Sequence, residues 1–523
     1  MARTPMPSSI EALRDLVAQQ QSDLARQQET IDELSRLLSF LREWKRLAQS
    51  QRFGRKSERF VDDQALLFNE AELEAANAPE AHTEPVTVPA HERRRAGRKP
   101  LPDHLPVEEI VHDLADDQKV CPSDASHALV EIGRETSEKL RFIPAEIVRE
   151  RHIRPKYACP VCKHGVRTAP LPPQPIPKSM ATPSLLAQVA TAKYVDGLPL
   201  YRQEKIFARH GIELPRATLG QWMVRMGDLV EPLVDRIRQE IREGSLVQCD
   251  ETPFQVLKEP GRRAQSPSYL WVLRGGTREH PLLLYEYDPS RSGEVPKRLL
   301  RGFRGFLQTD GYEGYGAIGR EPGVVHVGCW AHARRKFDEA LRGQRSNKKP
   351  KNAKQSKARQ GLSQIQALYA IERSLKEASP HERLRVREER SRPVTEKLRT
   401  WLDGSLGTLP PQTLTGKALA YLDHQWPKLV RVLNDGRIPL DTNGVENAIR
   451  PFVVGRKAWL FADTMAGARA SANLYSLVET AKANGLEPWR YLNLLFTHLP
   501  AVERPEQLPT LLPNRLPTGT LDR

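Results

Sequence analysis

Cysteine is scarce in this sequence, which has 523 residues and five cysteines. So few thiols, in an odd number, exclude a disulfide-stapled secreted scaffold and fit a reducing compartment. The sequence also lacks an apolar run of the roughly 18 residues that a membrane-spanning helix requires. The first residues, MARTPMPSSIEALRD, contain no apolar signal segment. These absences predict a cytoplasmic protein without a membrane anchor.

Acidic residues are outnumbered by basic ones, with 65 Asp and Glu against 80 Lys and Arg and a formal net charge of +15. A surplus of this size indicates a polyanionic partner such as nucleic acid, and a solvated basic surface is the alternative. The 42 prolines and 32 glycines follow no period, which excludes a collagen-like chain. The length predicts roughly three or four structural units.

A seven-residue apolar repeat near the N-terminus predicts one long helix over residues 8–50. The repeat positions are Ile10, Val17, Leu24, Ile31 and Leu38, and the positions three residues later are Leu13, Gln20, Gln27, Leu34 and Leu41. Such a seam predicts a coiled coil that pairs subunits into a homo-oligomer. The alternative is an amphipathic helix that packs against its own domain.

A basic linker is predicted over residues 51–110, and it contains the arginine-rich sequence HERRRAGRKPLP at 91–102. An arm of this kind can lie in the minor groove of DNA, where narrow A·T tracts attract arginine. The alternative is a solvated linker. The DNA-contacting candidates in the arm are Arg93, Arg94, Arg95, Arg98 and Lys99.

Residues 115–170 contain a cysteine pattern that is typical of a zinc ribbon. Cys159 and Cys162 form a C-x2-C pair, and Cys121 lies earlier in CPSD, where the matching second position holds Asp124. Tetrahedral zinc accepts sulfur, nitrogen and oxygen ligands, so Asp124 is a candidate fourth ligand, and His127 or His164 could replace it. The segment is therefore either a zinc site or a metal-free ribbon.

Residues 176–240 read as a helical region with a helix-turn-helix at 200–224. The first helix ends at Gly211, and the second begins near Thr218, which we predict to be its N-cap. The second helix could enter a major groove with Arg216, Thr218 and Gln221 near its reading end. A helical hairpin that packs only within the protein is the alternative.

Five short apolar runs between residues 245 and 330 predict an α/β core over 245–465. The first three runs follow each other closely, as in an antiparallel meander, and crossover connections lead to the last two. We therefore expect a mixed five-stranded sheet. A helical insertion follows at about 340–440, and it starts with a basic, exposed stretch at 342–360. C-terminal helices and a disordered, proline-rich tail complete the chain over 466–523.

Three acidic residues lie where an apolar strand or a helix turn would present them to a cleft. Asp250 follows the apolar run LVQC and closes the first strand, Asp310 closes the fourth, and Glu446 lies in the first turns of a helix. Converging carboxylates repel each other, and divalent cations relieve that repulsion. Mg²⁺ or Mn²⁺ held by these oxygens suits an in-line phosphoryl displacement. Any one of these acids taken alone is more simply explained by a structural role, as a turn residue at a strand end or a charge on a helix surface.

Sequence blocks along nearly the whole chain resemble the DDE transposases of the insertion sequence 66 family. The blocks are FGRKSER at 53–59, RRRAGRKPLPDHLP at 93–106, RPKYACPVC at 154–162, LPLYRQEKIFARHGIELPRATL at 198–219, DETP at 250–253, TDGYEGY at 309–315, CWAHARRKF at 329–337, DTNGVENAIRP at 441–451 and ETAKANGLEP at 479–488. The resemblance implies an RNase H-like core whose Mg²⁺-binding catalytic triad is Asp250, Asp310 and Glu446. It also implies a helical insertion between Asp310 and Glu446, and two cysteine pairs where this chain has Asp124 in place of one cysteine.

The same resemblance implies a transposase that binds terminal inverted repeats and target DNA, then cleaves and transfers strands. Such a protein would be nucleoid-associated when bound to DNA, and small accessory proteins could act with it. The alternative function is a non-catalytic DNA-binding protein or an inactive transposase descendant. A structure-specific nuclease, which cuts without joining, is a third.

Several further residues are weaker candidates for DNA phosphate contacts. They are His332, Arg334 and Arg335 after the fifth strand, and Arg450, Arg456 and Lys457 beyond Glu446. Cys329 and His332 also have the spacing of metal ligands. Because the sequence shows no second pair for them, no metal is predicted there.

Overall fold

The computed structural model describes residues 10–53, 120–121, 124–128, 147–153, 156–157, 167–168, 170–344 and 356–517. The chain divides into two compact units, one formed by Met1–Ala78 with Pro170–Arg523 and the other by Pro79–Ala169. No helix among the described residues is long and apolar enough to cross a membrane.

The smaller unit contains two short antiparallel strand pairs. Strand β1 (Val120–Cys121) pairs with β2 (Asp124–Ala128), and β3 (Lys156–Tyr157) pairs with β4 (Arg167–Thr168). The backbone of Cys121 lies opposite that of Asp124, so the two predicted ligands face each other across the first hairpin. The other two, Cys159 and Cys162, and the arginine-rich arm lie outside the described residues.

In the larger unit, the predicted N-terminal helix is confirmed as α1 (Ile10–Phe53). Its heptad side chains are largely exposed, with Leu24 64% and Ile31 55% accessible. Only the C-terminal part of α1 packs on the rest of this unit, where Leu47 is buried and the Glu43 carboxylate accepts a hydrogen bond from the Leu414 N–H at 3.2 Å. Most of the apolar seam therefore has no partner among the described residues of the chain.

The helix-turn-helix region consists of α2 (Pro183–Tyr194), α3 (Leu200–Arg209) and α4 (Arg216–Glu243). Gly211 has a positive φ of 74°, which ends the first helix as predicted. The prediction that Thr218 caps α4 is wrong, because the helix already begins at Arg216 and Pro215 is its N-cap. The Glu204 carboxylate from α3 accepts a hydrogen bond from the Arg216 N–H at 3.1 Å. Glu204, and not Thr218, therefore satisfies a free backbone N–H at the start of α4.

The central sheet has the strand order β7-β6-β5-β8-β9. Its strands are β5 (Leu246–Lys258), β6 (Pro267–Gly276), β7 (Pro281–Asp288), β8 (Gly305–Gln308) and β9 (Val324–Val327). The first three are antiparallel neighbours, whereas β8 and β9 join parallel to β5, as the spacing of the runs predicts. Helix α5 (Glu294–Leu299) provides the crossover before β8.

The helical insertion lies between β9 and the helix that carries Glu446. It consists of α6 (Trp330–Gln344), α7 (Lys357–Ser374), α8 (Pro380–Val386), α9 (Arg392–Asp403) and α10 (Leu414–Leu429). A π-helical turn, Arg387–Ser391, joins α8 to α9. The insertion packs around a second apolar core, which includes Trp330, Phe337 and Leu422 and also Val327 of β9. The insertion is therefore anchored on the strand from which it leaves the sheet.

Helix α11 (Asn443–Trp459) returns the chain to the sheet and is followed by a sixth strand, β10 (Ala462–Thr464), which the sequence did not predict. Strand β10 pairs parallel with the far end of β5, with Ala462 opposite Val256. Helices α12 (Met465–Ala483) and α13 (Pro488–His498) then pack with α2 and α4 around the main core, in which Val234, Leu284 and Leu477 are fully buried.

The predicted disorder of the proline-rich tail is wrong for the part that the structure describes. Short 3-10 turns cover Leu499–Ala501, Pro505–Leu511 and Pro513–Arg515. Leu512 is fully buried, and the Tyr491 hydroxyl donates to the Leu511 carbonyl at 3.1 Å. Proline disfavours regular helices and strands, but it does not prevent a few apolar side chains from anchoring an irregular segment.

Candidate active site

The parallel pairing of β5 with β8 brings two of the predicted carboxylates to the same edge. Gln248 of β5 lies opposite Gln308 of β8, and Asp250 and Asp310 are each two residues further along their chains. Neighbouring strands are about 4.8 Å apart, and side chains two residues apart point to the same face. The register therefore places Asp250 and Asp310 side by side, where β8 ends.

Asp250 does not close its strand, as the sequence had suggested, because β5 continues to Lys258. Strand β6 pairs with β5 from Gln248 to Gln255 and so supports it beyond the aspartate. On the other side, the pairing with β8 stops at Gln248. The aspartate thus lies on a rigid strand beside an open edge, which holds it more firmly than a turn would.

Two buried glutamines connect this edge to the segment that leads into α11. The Gln248 amide donates to Gln308 Oε1 at 2.8 Å and to the Asp441 carbonyl at 2.9 Å. The Gln308 amide donates to the Pro439 carbonyl at 2.8 Å. Sequence reasoning missed both residues, although a glutamine at the same offset before each aspartate was a visible signal.

The third carboxylate, Glu446, lies in the first turn of α11, as predicted, and is 9% exposed. The start of this helix rests directly on β5, because a Cβ atom on Gly444 would lie 2.5 Å from Gln248 Oε1. The Thr442 hydroxyl donates to Glu446 Oε1 at 3.0 Å and fixes the side chain. Glycine at 444 is therefore a condition for bringing Glu446 to the aspartates.

Burial first, and then the negative charges of Glu251, Asp310 and Glu446, together raise the pKa of Asp250 to about 8. The other two predicted carboxylates therefore both lie close enough to Asp250 to act on its charge. A divalent cation would replace the proton that this repulsion favours, so the donor set fits a hard cation such as Mg²⁺.

The raised pKa of Asp250 gives a stability prediction that does not depend on activity. Protonated Asp250 stabilises the fold below the unfolded-state pKa of about 3.8, and that contribution is lost as the pH rises through about 8. We expect Asp250→Asn, which cannot ionise, to raise the Tm relative to the wild type, and by more at pH 8.5 than at pH 5. Thermal unfolding in a chelating buffer measures the difference, and a difference that stays constant with pH would contradict the prediction.

Glu251 has a different environment from its neighbour, so it is not a candidate metal ligand. Its carboxylate pairs with Arg291 at 2.7 Å and accepts the Tyr315 hydroxyl at 2.5 Å. The Arg291 guanidinium also lies 4.1 Å from the ring centre of Tyr312, whose N–H donates to Asp310 Oδ1 at 2.9 Å. This ion pair between the exposed Arg291 and the buried Glu251 carboxylate, which sequence reasoning missed, therefore supports the loop that carries Asp310.

The Asp310 loop also touches the helical insertion. A Cβ atom on Gly311 would lie 2.8 Å from Cε2 of Tyr421 in α10, so the ring of Tyr421 covers the loop. Tyr421, in turn, lines a pocket together with Trp44 and Leu47 of α1. The N-terminal helix and the Asp310 loop thus lie against the same tyrosine.

The basic candidates near Glu446 differ in their accessibility. Arg335 is 43% exposed and pairs with Glu446 Oε2 at 3.3 Å. Arg334 is 4% exposed, which argues against the predicted phosphate contact because the guanidinium does not reach the surface. His332 Nδ1 lies 3.7 Å from Glu446 Oε1. Burial raises the pKa of the neighbouring Cys329 thiol to about 12, so the thiol is protonated at neutral pH.

The remaining DNA candidates in the larger unit lie on helix surfaces. Arg216 and Gln221 of α4 are exposed, and Thr218 is half-buried. Among the candidates that follow Glu446, Lys457 is exposed, whereas Arg450 and Arg456 are half-buried. Arg456 donates to the Pro253 carbonyl of β5, so part of its capacity already serves the fold.

Comparison with known families matches four segments in chain order. The family described as "Transposase IS66 family" matches residues 178–470. The family "Transposase C of IS166 homeodomain" matches 41–110, "zinc-finger binding domain of transposase IS66" matches 118–163, and "IS66 C-terminal element" matches 476–513. The first match alone covers more than half of the chain. The protein belongs to the IS66 transposase family. The domains of this family imply DNA binding and a role in transposition.

The chain is also similar to proteins from Sinorhizobium fredii (strain NBRC 101917 / NGR234). "Uncharacterized protein y4jD" is 35% identical over 425 residues, which cover 79% of this chain and 81% of the relative. "Uncharacterized protein y4qI" is 32% identical over 489 residues, which cover 90% of this chain and 87% of the relative. The likeness therefore extends over most of both chains.

Proposed function

We propose that this protein is an active transposase that binds the terminal inverted repeats of an insertion sequence and catalyses metal-dependent strand cleavage and strand transfer. The observation that carries the proposal is geometric: the β5–β8 register puts Asp250 and Asp310 side by side, and the helix start that carries Glu446 lies against Gln248 of β5. A protein that only binds DNA gains nothing from a buried carboxylate cluster, because such a cluster repels phosphate.

The sheet supports an RNase H-like description of the catalytic core. An antiparallel meander is followed by two parallel strands, with one acid on the first strand, one after the fourth and one on a later helix. The helical insertion separates the second acid from the third in the chain but not in space. Strand order and the positions of the acids are what the family resemblance leads one to expect.

In the proposed reaction, Asp250, Asp310 and Glu446 would hold Mg²⁺ or Mn²⁺, which when bound would activate water and stabilise the leaving 3′ oxygen. Asp250 is held in place by the rigid strand β5, and Asp310 by the Tyr312 N–H. Thr442 orients Glu446. The chain provides no covalent nucleophile in this mechanism, since water and then the freed 3′-OH attack phosphorus directly.

Metal dependence separates this function from that of a non-catalytic DNA-binding protein. The proposal expects cleavage of a DNA duplex that carries the element's ends in the presence of Mg²⁺ and none in EDTA. Joining of the cut 3′ end to a second duplex distinguishes a transposase from a nuclease. End binding without cleavage under all metal conditions would contradict the proposal.

We infer that DNA is held by several separate basic elements. The arm with Arg93, Arg94, Arg95, Arg98 and Lys99 is one of them, and the exposed face of α4 with Arg216 and Gln221 is another. Arg335, which pairs with Glu446, and Lys457, about three turns further along α11, would contact backbone phosphates. Cys121, Asp124, Cys159 and Cys162 would hold zinc in the smaller unit, in which the first hairpin already sets Cys121 opposite Asp124.

We also propose that α1 pairs two subunits, so that two active sites act on two DNA ends together. Leu24 and Ile31 lie on the exposed seam. The double variant Leu24→Glu, Ile31→Glu is expected to be monomeric at concentrations at which the wild type is oligomeric, because it buries like charges in the seam. Sedimentation velocity measures this difference. Ser22→Glu, which lies outside the seam, is the matched control, and an unchanged oligomer in the double variant would contradict the pairing.

A further inference from the structure

The structure brings Glu446 together with two residues that the proposed mechanism does not use. One ligand atom each from Cys329, His332 and Glu446 lies within 4.8 Å of the other two. Cys329 directly precedes α6, His332 lies in the first turn of that helix, and Glu446 lies in the first turn of α11. Two helix starts from opposite ends of the insertion thus form one group of potential ligands.

This donor set differs in kind from the aspartate pair. A thiolate, an imidazole and a carboxylate are the ligands of Zn²⁺ and similar transition-metal ions, whereas Mg²⁺ prefers oxygen atoms alone. Three protein ligands leave a fourth tetrahedral position for water. The thiolate and the carboxylate would together neutralise a divalent ion.

The ligand atoms are also arranged to receive an ion. The Nδ1 atom of His332 is buried and has no hydrogen-bond partner among the described residues, and it faces Glu446 Oε1 at 3.7 Å. Arg335 takes the other carboxylate oxygen, Oε2, so Oε1 is the atom directed at the group. An orphaned nitrogen beside a carboxylate oxygen is unfavourable unless something fills the space between them.

The sulfur atom has the surroundings that support a bound thiolate. Cys329 Sγ accepts the Thr442 N–H at 3.3 Å, and the Thr442 hydroxyl lies 3.2 Å from it. Hydrogen bonds from the surrounding shell orient metal ligands and stabilise their charge. Because the same hydroxyl also reaches Glu446 Oε1, Thr442 connects two of the three ligands.

We propose that Cys329, His332 and Glu446 form a binding site for a transition-metal ion of the Zn²⁺ class, and that an ion bound there inhibits strand cleavage because it occupies the Glu446 carboxylate that the catalytic ion requires. The Cys329 thiol gives up its proton to the solvent when the ion binds. The inhibitory half rests on the proposed function, whereas the binding half does not.

Cobalt titration of the full chain tests the site without DNA. Co²⁺ is the probe because thiolate ligation gives it a near-ultraviolet charge-transfer band and strong visible bands. We expect Cys329→Ser and His332→Gln each to bind one equivalent of Co²⁺ fewer than the wild type. Cys249→Ser removes another buried thiol and is the matched control that retains the full number. Equal cobalt binding by the wild type and both ligand variants, with unchanged circular dichroism, would overturn the site.

Measuring how Zn²⁺ inhibits Mg²⁺-dependent cleavage tests the proposed inhibitory role of the bound ion. We expect Cys329→Ser to need at least about tenfold more Zn²⁺ than the wild type for half inhibition, since one of three ligands is lost. Equal inhibition of both proteins would overturn the regulatory role. The thiolate–cobalt bands of this site should persist in Asp250→Asn, so a chain that shows these bands but never cleaves DNA would contradict the proposed function and not the metal site.

Discussion

Asp250→Asn is expected to lower the rate of strand cleavage by about 10³-fold or more while end binding remains within about twofold of the wild type. The substitution preserves the shape of the side chain and removes the charge that the proposed cations require. The backbone of Asp250 is held by its pairing with β6, opposite Val272, so the fold does not need its carboxylate. A cleavage assay with labelled end DNA and a mobility-shift assay measure the two quantities.

Asp463→Asn is the matched control for this experiment. Asp463 lies on β10, next to the far end of β5, and its exposed carboxylate pairs with Lys258 at 2.8 Å. The same chemical change at this position should leave cleavage near the wild-type rate. Wild-type cleavage by Asp250→Asn would remove Asp250 from the proposed catalytic triad.

Arg387→Met is expected to destabilise the protein by about 3–5 kcal/mol, because it breaks a buried, charge-assisted network. Arg387 is 1% exposed and uses its whole guanidinium. Nε and Nη2 donate to Glu372, Nη1 donates to the Val432 and Asp435 carbonyls at 2.9 and 3.0 Å, and Nη2 also donates to the Ile438 carbonyl at 2.9 Å. Methionine fills much of the volume but leaves these acceptors without donors.

The control for this prediction is Arg390→Met, in the same π-helical turn but exposed. Chemical unfolding monitored by tryptophan fluorescence should show a large fall in unfolding free energy for Arg387→Met and little change for the control. Since Arg387 holds the segment that runs back toward Pro439 and α11, the variant should also lose cleavage activity. Equal stabilities of the two variants would contradict the role assigned to Arg387.

The elements that sequence predicted well are those specified by local periodicity. The seven-residue repeat predicts the helix α1, and five short apolar runs predict the strands β5 to β9; the structure contains both. The placing of Asp250 and Asp310 side by side follows almost as directly, since equal offsets from two parallel strands lead to one edge. Strand β10 is three residues long and depends on β5 for its hydrogen bonds, so no local pattern could predict it.

The parts that sequence could not predict depend on contacts between distant segments. Thr218 resembled an N-cap because threonine favours that position, but Glu204 from the preceding helix satisfies the first N–H group instead. Cys329 and His332 seemed to be an incomplete pair, because their third neighbour, Glu446, follows only after the whole insertion. The proline-rich tail is held by Leu512 and Tyr491, a contact that composition does not reveal.

Tyr421 of the helical insertion lies between α1 and the loop that carries Asp310. Trp44 and Leu47 of α1 line a pocket with Tyr421, and the glycine after Asp310 lies under the ring of that tyrosine. If α1 pairs two subunits as proposed, a tilt of α1 that closed this pocket would press on the ring and on the loop that holds the second aspartate. The pairing of two subunits through the far end of α1 would thereby influence the active site of each subunit.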